Sequence, residues 1–335
     1  MKRCMYFLAV LFVMAACKRR GPDVSGIVVK LEVQRFEKDF FALDTTDVAA
    51  GLSRLQKPYG SFLTDYLFNI LGAGGLPPDS IALQVKSFLQ AYRPVYADVR
   101  SRFPDFNTPF KEIRQGLQYA RYYFPDSKLP ERVITYVGPI EGFGNVLTTS
   151  GFAVGLQLYL GKEYAAYKDQ SLVNVYPYYR SRRFEPEYIS VNCFSNLVDD
   201  LYPDNYADQP LINQMIEQGK RLYVLDKLLP EKADTLKTGY TGKQLAGCYE
   251  NEAIIWNFFV QSDILYSKNP EITRDYLNDG PNTLAISEQA PGDIGKFVGW
   301  QIVKKWMEEH SATSLPQLMQ TGADVIFKEA RYKPK

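Results

Sequence analysis

The 335 residues hold 39 Lys and Arg against 38 Asp and Glu, a formal net charge of +1, so no global positive field points to nucleic acid. Hydrophobic residues make up 46% of the chain, enough for a real core in one large domain or two modest ones. His310 is the sole histidine, which excludes a zinc helix of the HExxH type.

In chain order, Met1-Lys2-Arg3 is a basic start and Cys4 to Ala16 is a continuous apolar run. The run is too short to cross a bilayer comfortably and reads as a secretory signal. Met14-Ala15-Ala16-Cys17 sets two small residues directly before a cysteine. That pattern is similar to a bacterial lipoprotein signal, in which small side chains fit the peptidase cleft and the Cys17 thiol takes a diacylglycerol. The plainer reading is an ordinary secretory signal with a chance cysteine. On the lipoprotein reading, residues 1–16 are the signal peptide, 17–26 a tether and 27–335 a single domain. Lys18-Arg19-Arg20 would then rest on anionic headgroups.

Val29, Leu31 and Val33 alternate with Lys30, Glu32 and Gln34, the pattern of a half-exposed strand. Asp44-Thr45-Thr46-Asp47 supplies caps for a helix carrying Val48, Leu52 and Leu55. Ser61 opens a second, with Leu63, Tyr66, Leu67 and Ile70 at helical spacing, broken from Gly72 to Pro78. Asp79-Ser80 caps a third through Ile81, Val85, Phe88 and Tyr92, and Thr108-Pro109 a fourth through Ile113, Leu117 and Ala120. Arg132 to Val137 and the alternating Gly151 to Leu160 predict two strands, joined by a loop too long for a tight turn. Beyond Pro186 the helical period returns. Ile189, Cys193 and Leu197 share one face, Thr241 caps a long helix through Asp263, and a last helix runs from about Gly292 to Glu309. Gly299 within it would let another element approach closely. The fold class is therefore α+β, predominantly helical with a small central sheet.

Reactive constellations are sparse. Of the four cysteines, only Cys193 and Cys248 remain in the folded part, either paired in an oxidising compartment or as buried free thiols. Tyr176-Pro177-Tyr178-Tyr179-Arg180-Ser181-Arg182-Arg183 could stack on sugars or hold an anion. The bland alternative packs its tyrosines and solvates its arginines. The 24 Tyr and 20 Phe likewise fill either a core and its rim or a recognition surface. Asp199, Asp200, Glu250 and Glu252 are conceivable acid/base groups, but carboxylates on helices are usually solvated. Gly292-Asp293-Ile294-Gly295-Lys296 looks faintly like a phosphate loop, with the wrong spacing and Phe297 at the Ser/Thr position. His310 falls at a helix end, where an imidazole suits exposed carbonyls. No catalytic residue, cofactor or metal site follows.

Several segments in their order resemble the GldB family, gliding-motility lipoproteins of the Bacteroidetes. They are Val33 to Phe41, Gly155 to Tyr164, Tyr176 to Tyr179, Asp279 to Thr283, Pro291 to Gly295 and Val298 to Val303. One departure is Ala290-Pro291-Gly292-Asp293, where the family pattern has Ser-Pro-Gly-Arg. The resemblance implies a non-enzymatic lipoprotein supporting gliding motility and the associated type IX secretion machinery. Its partners would be the membrane, through the lipid on Cys17, and other envelope proteins of that machinery. Lys18 after the cysteine favours the outer membrane, facing the periplasm. A more distant likeness to zinc peptidases would make the scaffold zincin-like but without its metal. In that comparison the helix from about Glu187 to Leu201 takes the metal-helix place, and Val191 to Asn196 offers no histidine pair. The comparison also implies that Cys193 and Cys248 lie on neighbouring helices, close enough to touch. Two alternatives stand beside this reading: a glycan- or peptidoglycan-binding envelope protein using the Tyr176–Arg183 loop, and a metal-independent hydrolase using carboxylates.

Overall fold

The computed structural model describes residues 21–334, so the expected signal peptide and the lipid site at Cys17 lie outside the described residues. Four short strands form one sheet: β1 (Glu32–Arg35), β2 (Arg132–Tyr136), β3 (Asn145–Thr148) and β4 (Gly151–Gly155). Their order is β1-β2-β4-β3, with β1, β2 and β4 parallel and β3 antiparallel to β4. β4 is buried along its length and β2 along all but its first residue, as their unbroken apolar runs require of inner parallel strands. The Ile189–Leu201 helix packs on β3 and β4, and the Asn107–Tyr123 helix lies against it.

Beside β1 sits an aromatic cluster. The ring of Phe36 lies 4.7 to 5.1 Å from those of Tyr59, Phe62 and Tyr66, all edge-on, the geometry favoured by the ring quadrupoles. Tyr66, Tyr136, Tyr159 and Tyr167 are all fully buried, so much of the tyrosine content is core.

The second half is helical and turns on one pair. Leu211–Leu228 and Ile294–Glu309 lie side by side, with Ala323–Ala330 packed on both. Their backbones touch at two glycines. A Cβ added to Gly299 would fall 1.7 Å from the Met215 carbonyl oxygen, and one on Gly219 would fall 2.2 Å from the Gly299 carbonyl carbon. The expected close approach at Gly299 is therefore a contact of helix backbones. Polar groups fix the pair from within. Trp300 Nε1 donates to Asp226 Oδ2 at 2.8 Å, and Lys237 Nζ lies 2.5 Å from Asp226 Oδ1. Lys220, 1% exposed, donates to Glu217 and to the Thr321 carbonyl, tying the C-terminal helices down.

The structure departs from the sequence expectation in four places. The strand expected over 151–160 stops at Gly155, and Leu156–Leu158 is a 3-10 turn. Buried Gln157 explains the turn: its Oε1 accepts from Gly138 N at 3.0 Å and its Nε2 donates to Phe143 O at 3.0 Å. The intervening loop contains an unexpected strand, β3. The helix capped by Thr241 breaks at Asn251 into Gly242–Glu250 and Glu252–Gln261, and the Asn251 amide takes the Gly247 carbonyl at 2.9 Å, a local bond that competes with helix continuation. Finally, the described end of the expected tether is packed: Val24 is 4% exposed and belongs to the core.

Gly299→Ala should cost about 3 kcal/mol or more, because no rotamer change can relieve a clash with helix backbone. By contrast, Gly247→Ala, whose Cβ would meet nothing within 4 Å, should stabilise by about 0.5–1 kcal/mol through helix propensity and chain entropy. Urea unfolding midpoints at constant slope measure both. Equal effects at the two sites would contradict the close crossing.

Candidate functional site

The Ile189–Leu201 helix has two working faces. Cys193, Phe194 and Leu197 are buried in the core, while Asn192, Ser195 and Asn196 are half-buried and line a cavity of about 270 Å³. The spacing i, i+3, i+4 sets these three on one side of the helix. Across from them stand Asn145 of β3, Leu158 and Tyr159 from the turn after β4, and Tyr176 and Phe184 from the basic aromatic loop.

Hydrogen bonding fixes how the amides point. Asn145 Nδ2 donates to the Ile189 carbonyl at 3.1 Å, which can only accept. Asn145 Oδ1 therefore faces Tyr159 and accepts its hydroxyl proton at 2.7 Å. With its proton given away, Tyr159 accepts from Asn192 Nδ2 at 2.7 Å. Asn196 Nδ2 donates to the Asn145 carbonyl at 3.0 Å. Among the described residues nothing donates to Oδ1 of Asn192 or Asn196, and Ser195 Oγ makes no hydrogen bond. The Cys193 thiol accepts from Asn145 Nδ2 at 3.2 Å, and burial pushes its pKa up, so it stays neutral. Burial likewise raises Tyr159 and Tyr176.

The basic aromatic loop is a brace. Arg180 and Arg183 both pair with Asp279, and Arg182 Nη2 donates to the Gly239 carbonyl at 2.5 Å. Arg182 and Arg183 are spent on the turn before Thr241 and on Asp279, while Arg180 reaches Asp279 at 3.4 Å and stays 45% exposed. Tyr176 meets Phe184 edge-on at 5.1 Å and donates to the Gly142 carbonyl. Tyr179 is half-buried and Tyr178 is 66% exposed. The brace continues into the segment 291–295. Thr283 donates to the Pro291 carbonyl at 2.7 Å, and a Cβ on Gly292 would strike Gly280 backbone at 2.4 Å. Asp293, where the family pattern has Arg, sits buried in a left-handed conformation and takes its positive partner from Lys296 at 2.7 Å. Lys296 also donates to the Thr238 carbonyl, so the phosphate-loop likeness has its lysine engaged.

Other expected groups have separate employments. Asp199 pairs with Arg221 at 3.2 Å, Asp200 and Glu250 are exposed, and Glu252 accepts from Tyr332. Glu250 lines a second, larger cleft of about 640 Å³, whose walls include Cys248, Ile254, Ile286 and Pro291. His310 caps its helix and stacks on Trp306 at 4.3 Å. Cys193 and Cys248 are free and buried, the first beside Asn145 and the second in the wall of the larger cleft. No group of three His, Cys, Asp or Glu among the described residues is placed to hold a metal. On the helix that the zinc-peptidase likeness would make the metal helix, the cavity-facing residues four apart are Asn192 and Asn196. Neutral amides are not zinc ligands.

Nothing in the sequence marks Asn145 as a site residue, Tyr159 stands there only within the family-like Gly155 to Tyr164 segment, and Asn192 and Asn196 only where a histidine pair is missing. The available signal was three polar residues on one side of a helix whose other residues through Val198 are buried. A family model described as gliding motility protein GldB matches residues 17–334. No curated protein and no solved structure matches the chain.

Both thiols should resist iodoacetamide at neutral pH in the folded protein, since burial holds Cys248 at about 12 and Cys193 higher still. Both should be alkylated after unfolding in urea without reductant, as counted by mass spectrometry. A Cys193–Cys248 linked peptide would contradict the free state.

Proposed function

Because the chain belongs to the GldB family of gliding motility proteins, we propose that it serves gliding as a lipid-anchored, non-enzymatic envelope protein that also supports type IX secretion. The observation that carries this reading is the family match itself, which runs from Cys17 to residue 334. Cys17 is also the residue that the Met14-Ala15-Ala16 pattern would leave at the start of the mature chain. No helix of the described residues is long and apolar enough to cross a membrane, and a lipid on Cys17 supplies attachment without one. Lys18 favours passage to the outer membrane, with the domain facing the periplasm.

The non-enzymatic reading is supported by how the carboxylates are used. Of the four acid/base candidates, Asp199 and Glu252 hold structural partners, and Asp200 and Glu250 are exposed on helices. The proposed anchor would also act mechanically. Seven peptide links separate Cys17 from buried Val24, and at full extension they reach about 25 Å at most. The domain would be held against the membrane, where its partners in the motility and secretion machinery reside.

Cys17→Ser should abolish incorporation of a labelled fatty acid and abolish colony spreading, while leaving the folded domain's thermal unfolding unchanged. A wild type that takes up no labelled fatty acid, or labelling that survives Cys17→Ser, would overturn lipidation at Cys17. A soluble variant that still supports spreading and secretion would show that the anchor is only an address.

A further inference from the structure

We propose that the cavity between β3 and the Ile189–Leu201 helix binds a single neutral sugar residue. This site does not depend on the anchoring or motility reading. Its walls carry no ionised group: the polar liners are Asn145, Tyr159, Tyr176, Asn192, Ser195 and Asn196. A charged ligand entering it would lose hydration and meet no counter-charge. A neutral ligand rich in hydroxyl groups loses less hydration than an ion and can replace it with hydrogen bonds to these liners.

The polar groups are set in advance. The chain of bonds that starts at the Ile189 carbonyl and passes through Asn145 and Tyr159 turns the amide nitrogen of Asn192 inward. The bond from Asn196 to the Asn145 carbonyl does the same for Asn196. Each leaves its Oδ1 unpaired among the described residues, with the Ser195 hydroxyl on the same side of the helix, one turn on from Asn192. A hydroxyl is both donor and acceptor, and so are Ser and the primary amide, whose second hydrogen is also still available. Sites that already hold their groups in place lose little ordering entropy on binding.

The remaining walls suit the other side of a sugar ring. Tyr176 and Phe184 stand at 79° to one another, 5.1 Å apart, with Leu158 beside them. Such a corner offers aromatic and aliphatic surface to the C–H groups of a pyranose. The volume, about 270 Å³, lies just below the range of drug-sized pockets, which fits one ring rather than a chain of them. An extended peptide is the competing neutral ligand. It would add to the open edge of β3 through free backbone groups, yet the Asn145 carbonyl there is already taken by Asn196.

The test is titration of the full-length protein, in a detergent that contains no sugar, with glucose, galactose and N-acetylglucosamine, followed by saturation-transfer NMR. Trialanine with acetylated and amidated termini, and so neutral, serves as the peptide probe. At least one sugar should bind saturably in the millimolar range, as expected for a ligand this small. Ser195→Trp, which fills the cavity, should abolish that binding. Ser195→Ala should weaken it several-fold with unchanged thermal unfolding, because the hydroxyl bonds nothing in the protein, and it keeps the test decisive if Ser195→Trp does not fold. No saturable binding of any of the three sugars up to tens of millimolar would overturn the proposal. So would sugar binding unaffected by Ser195→Ala and Ser195→Trp, or trialanine binding in place of sugar.

Discussion

The crossing of Leu211–Leu228 over Ile294–Glu309 is the contact on which the helical half depends. At Gly219 and Gly299 the two backbones meet with no side chain between them. Such closeness brings whole turns of each helix within dispersion range, and many weak contacts add up. It also fixes depth. Trp300 reaches Asp226 on the partner helix, and Lys220 reaches Thr321 beyond it, only because the helix axes are this near. Gly295 belongs to the same arrangement, since a Cβ there would press within about 3 Å of Leu277, Tyr276 and Met215. A methyl group on this seam would therefore displace the 270–277 helix and the C-terminal helices along with it.

The sheet and the helical half are joined by the arginine-rich loop. Asp279 receives Arg180 and Arg183, and Arg182 reaches Gly239. These groups are partly buried, so removing one partner would strand the other away from full solvation, the case in which ion pairs matter most. The segments that resemble the family pattern lie along this line: 176–179 runs directly into the bracing arginines, 279–283 receives them through Asp279, and 291–295 locks onto 279–283 through Gly280 and Gly292. Much of that pattern therefore specifies architecture. The front segment agrees: Arg35 and buried Glu37 pair at 2.6 Å, and Glu37 also accepts from Thr135 of β2.

Features with a local physical cause were legible in the sequence. The cap at Thr241 is a full capping box with Gln244, the helix end at His310 falls where expected, and β2 matches its β-rich run. Non-local causes were not. The turn at Leu156–Leu158 depends on Gln157 finding Gly138 and Phe143, and the alternating pattern continues through it because Leu156 and Leu158 are buried anyway. The Leu211–Leu228 helix, central to the fold, has no clean apolar stripe. It buries Gln214 and Lys220 along with its leucines, since other parts of the chain satisfy them. The cavity stayed hidden for a related reason. Asparagine carries no charge and no reactive atom, so nothing in a residue list distinguishes Asn192 from a surface amide until Tyr159 is seen to orient it.

The bond from Asn196 to the Asn145 carbonyl also bears on how copies of this protein coexist. β3 ends the sheet on one side, and an open strand edge is a template on which a neighbouring molecule can add its own strand. Four residues is a short template, a helix lies under it, and one of its acceptors is already occupied. Molecules crowded together would find little there to zip onto, so this edge resists strand-to-strand pairing without any charged residue being placed on it.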